Sequence, residues 1–197
     1  MGNASQKSEG LRARKRRETL DRIAQVGLEL FLANGYEATT LEAVAAAAGI
    51  SRRTFFHYFK SKEEILLAVQ SGLGSVIAAA LREEGPDQAP IDATYNAFLK
   101  VAAHFQSDEM IAIDRLMRVT PMLRARKQTV YVEHEQAVFD ALCQKWPQPS
   151  RRAALRMVAM LSVGAMRLAL DAWGADGGKR PLKKHVRDAF ATLRAEV

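Results

Sequence analysis

Apolar positions recur along this chain at steps of three and four residues, with polar positions filling the intervals. That period belongs to α-helices that lay one face against a core, not to strands, whose period is two. The pattern runs almost unbroken from Arg17 to Val197, punctuated by glycine and proline, and alternating β-branched runs are nearly absent. The expected fold is therefore all-α. About nine helices are predicted, near 17–34, 40–48, 52–59, 62–84, 91–106, 108–118, 121–146, 150–174 and 181–195.

The first helix carries a stripe of Leu20, Ile23, Ala24, Gly27, Leu28 and Phe31, and Asn34-Gly35 offers a left-handed stop. The second begins at Thr39 or Thr40, where Thr39 and Glu42 have capping-box spacing. Gly49 and Ile50 form a turn, and Ser51 suits the N-cap of the third helix. Ala45, Ala47 and Ala48 with Gly49 are small enough for two helices to cross closely. Leu41, Val44, Phe55 and Phe59 are placed to pack against Ile23, Leu28 and Phe31. The opposite face of the third helix then shows Ser51, Arg52, Arg53, Thr54 and His57.

Charge adds direction to this picture. Residues 1–62 hold 5 more basic than acidic side chains, and the remaining 135 residues hold only 2 more. A basic segment with Arg12, Arg14, Lys15, Arg16 and Arg17 precedes the first helix, and residues 1–16 are expected to be a flexible arm. The excess fits either a polyanion partner or a solubilising tail. Arg52 and Arg53 are more pointed, because the macrodipole disfavours cations at a helix start. Either they form a plain solvated helix end, or they exist to reach guanine edges in a major groove.

The run TTLEAVAAAAGISRRTFFHYFKSKEEIL from Thr39 to Leu66 resembles the signature of the TetR (tetracycline-repressor-like) family, and Leu30, Phe31, Gly35 and Tyr36 ahead of it fit the same pattern. The resemblance implies a three-helix DNA-binding domain over 17–62 and a helical ligand-binding and dimerisation domain over 63–197. It also implies that Thr40, Thr54, Tyr58 and Lys62 touch phosphates while Arg52 and Arg53, beside Ser51 and His57, read bases. Phe56 departs from the pattern, since the family often places a phosphate-binding tyrosine there. The ring is left to touch a thymine methyl or sugar, or simply to pack.

In the family the last two helices pair with their copies across a two-fold axis. That reading takes Leu155, Ser162, Met166, Ala169, Val186 and Phe190 as the seam, the alternative being a core within one chain. Methionine and aromatic residues concentrate in the middle helices and suit an adaptable apolar chamber. Phe98, His104, Phe105, Met110, Met117, Met122, Tyr131 and Met160 are its candidate walls, for an apolar or amphipathic effector such as a fatty acid or acyl thioester. Asp114, Arg115 and Asp171 lie beside apolar positions, and an internal ion pair is expected at Asp114. Gly72 and Gly74 mark a possible weak point in the helix 62–84, or a place of close packing.

Other classes find little support. The four histidines lack metal-ligand spacing, no GxSxG elbow or glycine-rich phosphate loop occurs, and Cys143 is the sole cysteine. No enzyme activity, cofactor or metal is expected. The apolar stretch from Met157 to Met166, bracketed by Arg156 and Arg167, is about half the ~20 residues of a membrane helix. The expectation is a cytoplasmic, dimeric, ligand-responsive repressor on palindromic double-stranded DNA. The competing expectation is an effector-independent regulator or activator whose second domain only dimerises or binds a protein.

Overall fold

The computed structural model describes residues 3–85, 87–104 and 108–196. Among these residues it is all-α, with nine α-helices and a single 3₁₀ turn at Pro149–Arg151. The helices are α1 (Asn3–Asn34), α2 (Leu41–Ala47), α3 (Arg52–Tyr58), α4 (Lys62–Glu83), α5 (Pro90–Ala102), α6 (Asp108–Val119), α7 (Pro121–Lys145), α8 (Arg152–Ala175) and α9 (Leu182–Glu196). The chain separates into two compact units, one ending at Gln70 and the other beginning at Ser71.

In the first unit, α1 starts at Asn3, whereas the periodicity predicted a start at Arg17. The physical reason is local. The segment lacks an apolar stripe, but its Ser, Gln, Lys, Glu, Leu and Arg residues tolerate a helix and no proline interrupts it. The cap of α2 also differs from expectation. Thr40, not Thr39, accepts the Ala43 N–H at 3.1 Å, while Thr39 turns inward and donates to the carbonyls of Gly35 (2.8 Å) and Leu30 (3.2 Å). It thereby satisfies carbonyls that the end of α1 leaves open. Gly35 and Gly49 both adopt the left-handed backbone that their turns require (φ 86° and 66°).

The core of this unit comprises Ile23, Ala24, Phe31, Val44, Ala45, Ala48, Phe55, Phe59, Ile65 and Leu66. Ala47 is exposed, so the crossing of α2 and α3 uses only two of the three expected alanines. Gly27 lets the start of α4 approach α1. A Cβ there would lie 2.7 Å from the Ile65 Cγ2.

The second unit is built on α5, α7, α8 and α9 with the latter half of α4. Phe98 and Phe190 are fully buried at its centre, their rings 6.1 Å apart. A buried hydrogen bond at 2.9 Å joins the hydroxyls of Thr94 and Ser162, so α5 and α8 are locked in register. Arg118 on α6 donates to Asp114 (2.6 Å), to Asp171 (3.0 Å) and to the Leu170 carbonyl (2.7 Å), tying α6 to α8. Gly174 leaves room for that guanidinium, which would stand 2.5 Å from an added Cβ. Gly74 is a packing glycine too: its Cβ would meet His134 on α7, 3.2 Å from the backbone Cα. Burial pushes the Tyr131 hydroxyl up to about 12, and the nearby Asp171 charge adds to the shift.

The six residues expected at a seam between copies do not lie at a surface. Leu155, Ser162, Met166, Ala169, Val186 and Phe190 are all buried in the chain's own core and have no surface left for a partner. The outward face of α8 is instead formed by Met157, Met160, Leu161, Gly164, Leu168, Ala172 and Ala175, which recur at helical spacing.

Glycines give a two-signed test of this packing. Gly178 has φ 74° and faces the Ile111 side chain, so Gly178→Ala introduces both strain and overlap. We expect a loss of about 1–3 kcal/mol, read as a fall in Tm of roughly 2–4 °C per kcal/mol. Gly72→Ala, inside α4 with nothing within 4 Å, is expected to raise Tm. If both substitutions shifted Tm in one direction, the assigned environments would be wrong.

Candidate DNA-binding interface

The site begins with a short helix held by its caps. Ser51 accepts the Thr54 N–H at 3.1 Å and its hydroxyl meets that of Thr54 at 2.8 Å, which fixes the first turn of α3. Phe55 and Phe59 point inward, one turn apart, with ring centroids 6.0 Å from each other. With those anchors set, the helical period turns Arg52, Arg53, Thr54 and His57 outward, all of them exposed. Arg53, Thr54, Phe56, His57 and Tyr58 line an open depression on this face.

The two arginines differ. Arg52 pairs with Glu42 of α2 at 3.2 Å and lies 5.5 Å over the Phe56 ring. Both members of that pair are largely exposed, so the pair is worth little and yields readily. Arg53 has no ion pair or hydrogen bond among the described residues. Its guanidinium presents five N–H donors to solvent at the start of a helix. Phe56 is only partly exposed and packs edge-on against Phe55 at 5.5 Å.

Thr40, Ser51 and Thr54 are exposed at the starts of α2 and α3. Tyr58 closes α3 with its ring against His57 (5.6 Å) and beneath the Arg16 guanidinium (5.9 Å). Lys62 is less available than its neighbours. Its ammonium donates to the carbonyls of Tyr36 (2.8 Å) and Glu37 (3.3 Å) and lies 4.4 Å over the Tyr36 ring. Burial and the Glu63 carboxylate hold the Tyr36 hydroxyl protonated well above its ordinary range.

Several contributors escaped the sequence pattern. Arg22 on α1 caps the end of α2 through the Ala48 carbonyl at 3.1 Å, and Glu42 holds Arg52. Ser61 caps α4 by accepting the Glu64 N–H, while the Glu64 carboxylate accepts from the Lys60 N–H at 2.7 Å. Only this last arrangement, Ser-x-x-Glu, carries a sequence signal.

The candidate effector residues do not assemble into one wall. Phe98 is core, and Met110 and Tyr131 pack partly buried against it. Met117 is half-buried, and His104 is exposed with its ring nitrogen 3.1 Å from the Lys100 carbonyl. Met122 and Met160 are exposed, which removes them from any cavity inside one chain. Phe105 lies outside the described residues.

An all-α chain with an exposed, doubly basic third helix set on a capped helix-turn-helix is a DNA-binding transcription regulator. Residues 23–69 match the family described as bacterial regulatory proteins of the tetR family, and residues 88–197 match the MftR C-terminal domain. The chain belongs to the TetR family of bacterial transcription regulators. It is similar to the HTH-type transcriptional regulator TcmR of Streptomyces glaucescens, with 39% identity over 113 residues, 57% of this chain. That match spans 50% of TcmR, so the chain covers half the length of this relative. MftR of Mycobacterium tuberculosis, named as a regulator of mycofactocin biosynthesis, is 28% identical over 169 residues, 83% of each chain. The fold is also that of FadR from Thermus thermophilus, a transcriptional repressor crystallised in complex with lauroyl-CoA. The TM-score is 0.62 at 20% identity, covering 88% of this chain and 92% of that one.

Proposed function

We propose that the protein is a cytoplasmic repressor that binds a two-fold symmetric operator as a dimer, each copy setting α3 in a major groove. The observation that carries this is Arg53, an unsatisfied guanidinium on the exposed face of α3 beside the loosely held Arg52. Thr40, Thr54 and Tyr58 act as phosphate anchors around it, which sets register without reading sequence. Lys62 joins them only by exchanging its Tyr36 and Glu37 carbonyls for a phosphate.

The second unit takes a small apolar or amphipathic effector, a fatty acid or acyl thioester, and its binding releases the operator. Support comes from the methionine and aromatic content around α5–α7 and from the fold shared with the lauroyl-CoA-bound Thermus repressor. Release requires an effector that binds two arrangements of the chain unequally. The close packing of Gly74 against His134 is where a shift of α7 would reach α4.

Selection of sites from a random DNA pool tests the reading of α3. Arg53→Ala is expected to cost about 1–3 kcal/mol on the site chosen by the native chain and to relax preference at one or two base pairs. Identical selected sites and identical affinity would show that α3 is not the reader.

A further inference from the structure

The basic segment ahead of Arg17 is not accounted for by the helix-turn-helix. Residues 12–17 hold five cations and no acid. The structure carries this stretch inside α1, which runs unbroken from Asn3. Lys15, Arg16 and Arg17 are exposed, and none of the three has a carboxylate partner among the described residues. Arg16 stands over the ring of Tyr58, so this part of α1 lies beside the last turn of α3 within the same unit. Cations at three- and four-residue spacing on one helix repel each other. Glu18 and Asp21, one turn further on, offset only part of this excess, so the segment keeps a net positive charge that a polyanion would neutralise.

We infer that the basic part of α1 at Lys15–Arg17 is a second DNA-contact element, a helical strap that lies along the phosphate backbone flanking the base pairs read by α3. The inference rests on the reading of α3 as the DNA-facing helix. Phosphates, not bases, are its partners for a steric reason. An α-helix is about 10 Å wide, and the minor groove of B-DNA is only about 6 Å wide. A helical segment therefore rides on the backbone and does not thread the groove as an extended arm would. Lys15 and Arg17 supply charge to phosphates, and Arg16 holds its place over Tyr58. The strap raises affinity for any duplex and leaves the sequence preference to Arg52 and Arg53.

The test uses the full chain with Lys15→Gln and Arg17→Gln combined, which keeps Arg16 on Tyr58 and alters two exposed positions. Binding is measured by fluorescence anisotropy across a salt series on two duplexes. One carries the site selected by the native chain and the other a scrambled sequence of equal length. Each phosphate contact contributes about 0.9 to the slope of log affinity against log salt, so the slope should fall by roughly 2 per chain. Affinity should drop by the same factor on both duplexes, with the selected base pairs and Tm unchanged. An unchanged slope would overturn the strap. So would loss of preference for A·T-rich flanks, which marks a minor-groove arm. Failure of the α3 reading shows separately, as indifference of the selected site to Arg53→Ala while the slope still responds to the double variant.

Discussion

Leu168→Asp is expected to leave the chain folded but single, and to lower operator affinity by at least 100-fold. Leu168 is 66% exposed and Met157 59% exposed on the outward face of α8. Together with Met160, Leu161, Gly164, Ala172 and Ala175 they make an apolar stripe, with Arg156 and Arg167 at its edge and one carboxylate on it, Asp171, held by Arg118. A contiguous apolar stripe of this kind marks a surface meant to be covered. Gly164 has open space where a Cβ would stand, so a second helix can approach the backbone there. In a two-fold contact the same stripe meets itself. One aspartate then becomes two, both desolvated and without a cation in the stripe. Burying such carboxylates costs several kcal/mol each. The loss of DNA affinity follows from linkage, because two joined half-sites exceed one by about 10² to 10⁴. Sedimentation at micromolar concentration and circular dichroism measure the two parts. An aspartate variant that still sediments as a dimer would place the seam elsewhere.

The same helix shows how far periodicity reaches. The apolar positions of α8 were legible in the sequence, but period alone cannot tell burial inside a chain from burial between chains. Leu155, Met166 and Ala169 satisfied the pattern and proved to be core, while Met157 and Leu168 one step around the helix carry the free surface. In the second unit the lack of a motif left the candidate effector residues to composition. A methionine is equally at home in a core, at a seam or on a pocket wall, and Met122 and Met160 turned outward.

The first unit was far more legible, because capping residues, turn glycines and inward aromatics coincide over a short stretch. Ser51, Gly35 and Gly49 do what their chemistry requires. The errors there came from signals only one residue apart. Thr39 and Thr40 are equal as sequence caps, and only the leftover carbonyls at the end of α1 decide between them. Lys62 reads as a phosphate contact by position, yet its ammonium holds the Tyr36–Glu37 loop, a partnership 25 residues away that no local pattern exposes.

Phe55→Ala should weaken DNA binding severely, and the comparison with Phe56→Ala shows why adjacent aromatics have separate tasks. Phe55 is fully buried between the rings of Phe56 and Phe59, in a core completed by Ile23, Phe31, Val44 and Ile65. Truncating a buried phenylalanine costs about 3–5 kcal/mol. A unit ending at Gln70 has a total stability of roughly 4–10 kcal/mol at the usual value per residue. The substitution therefore removes a third or more of what holds α3 in place. Calorimetry should show the transition of the first unit lowered sharply, with that of the second unit kept, and binding to selected and scrambled duplexes weakened together. Phe56 is only partly covered, and its removal leaves no comparable cavity. Phe56→Ala is expected to cost under about 1.5 kcal/mol in stability. Its effect should appear in binding instead, by freeing Arg52 from the ring it lies over. Equal stability losses for the two variants would mean that α3 is rotated by one residue from the position that puts Arg52 and Arg53 toward DNA.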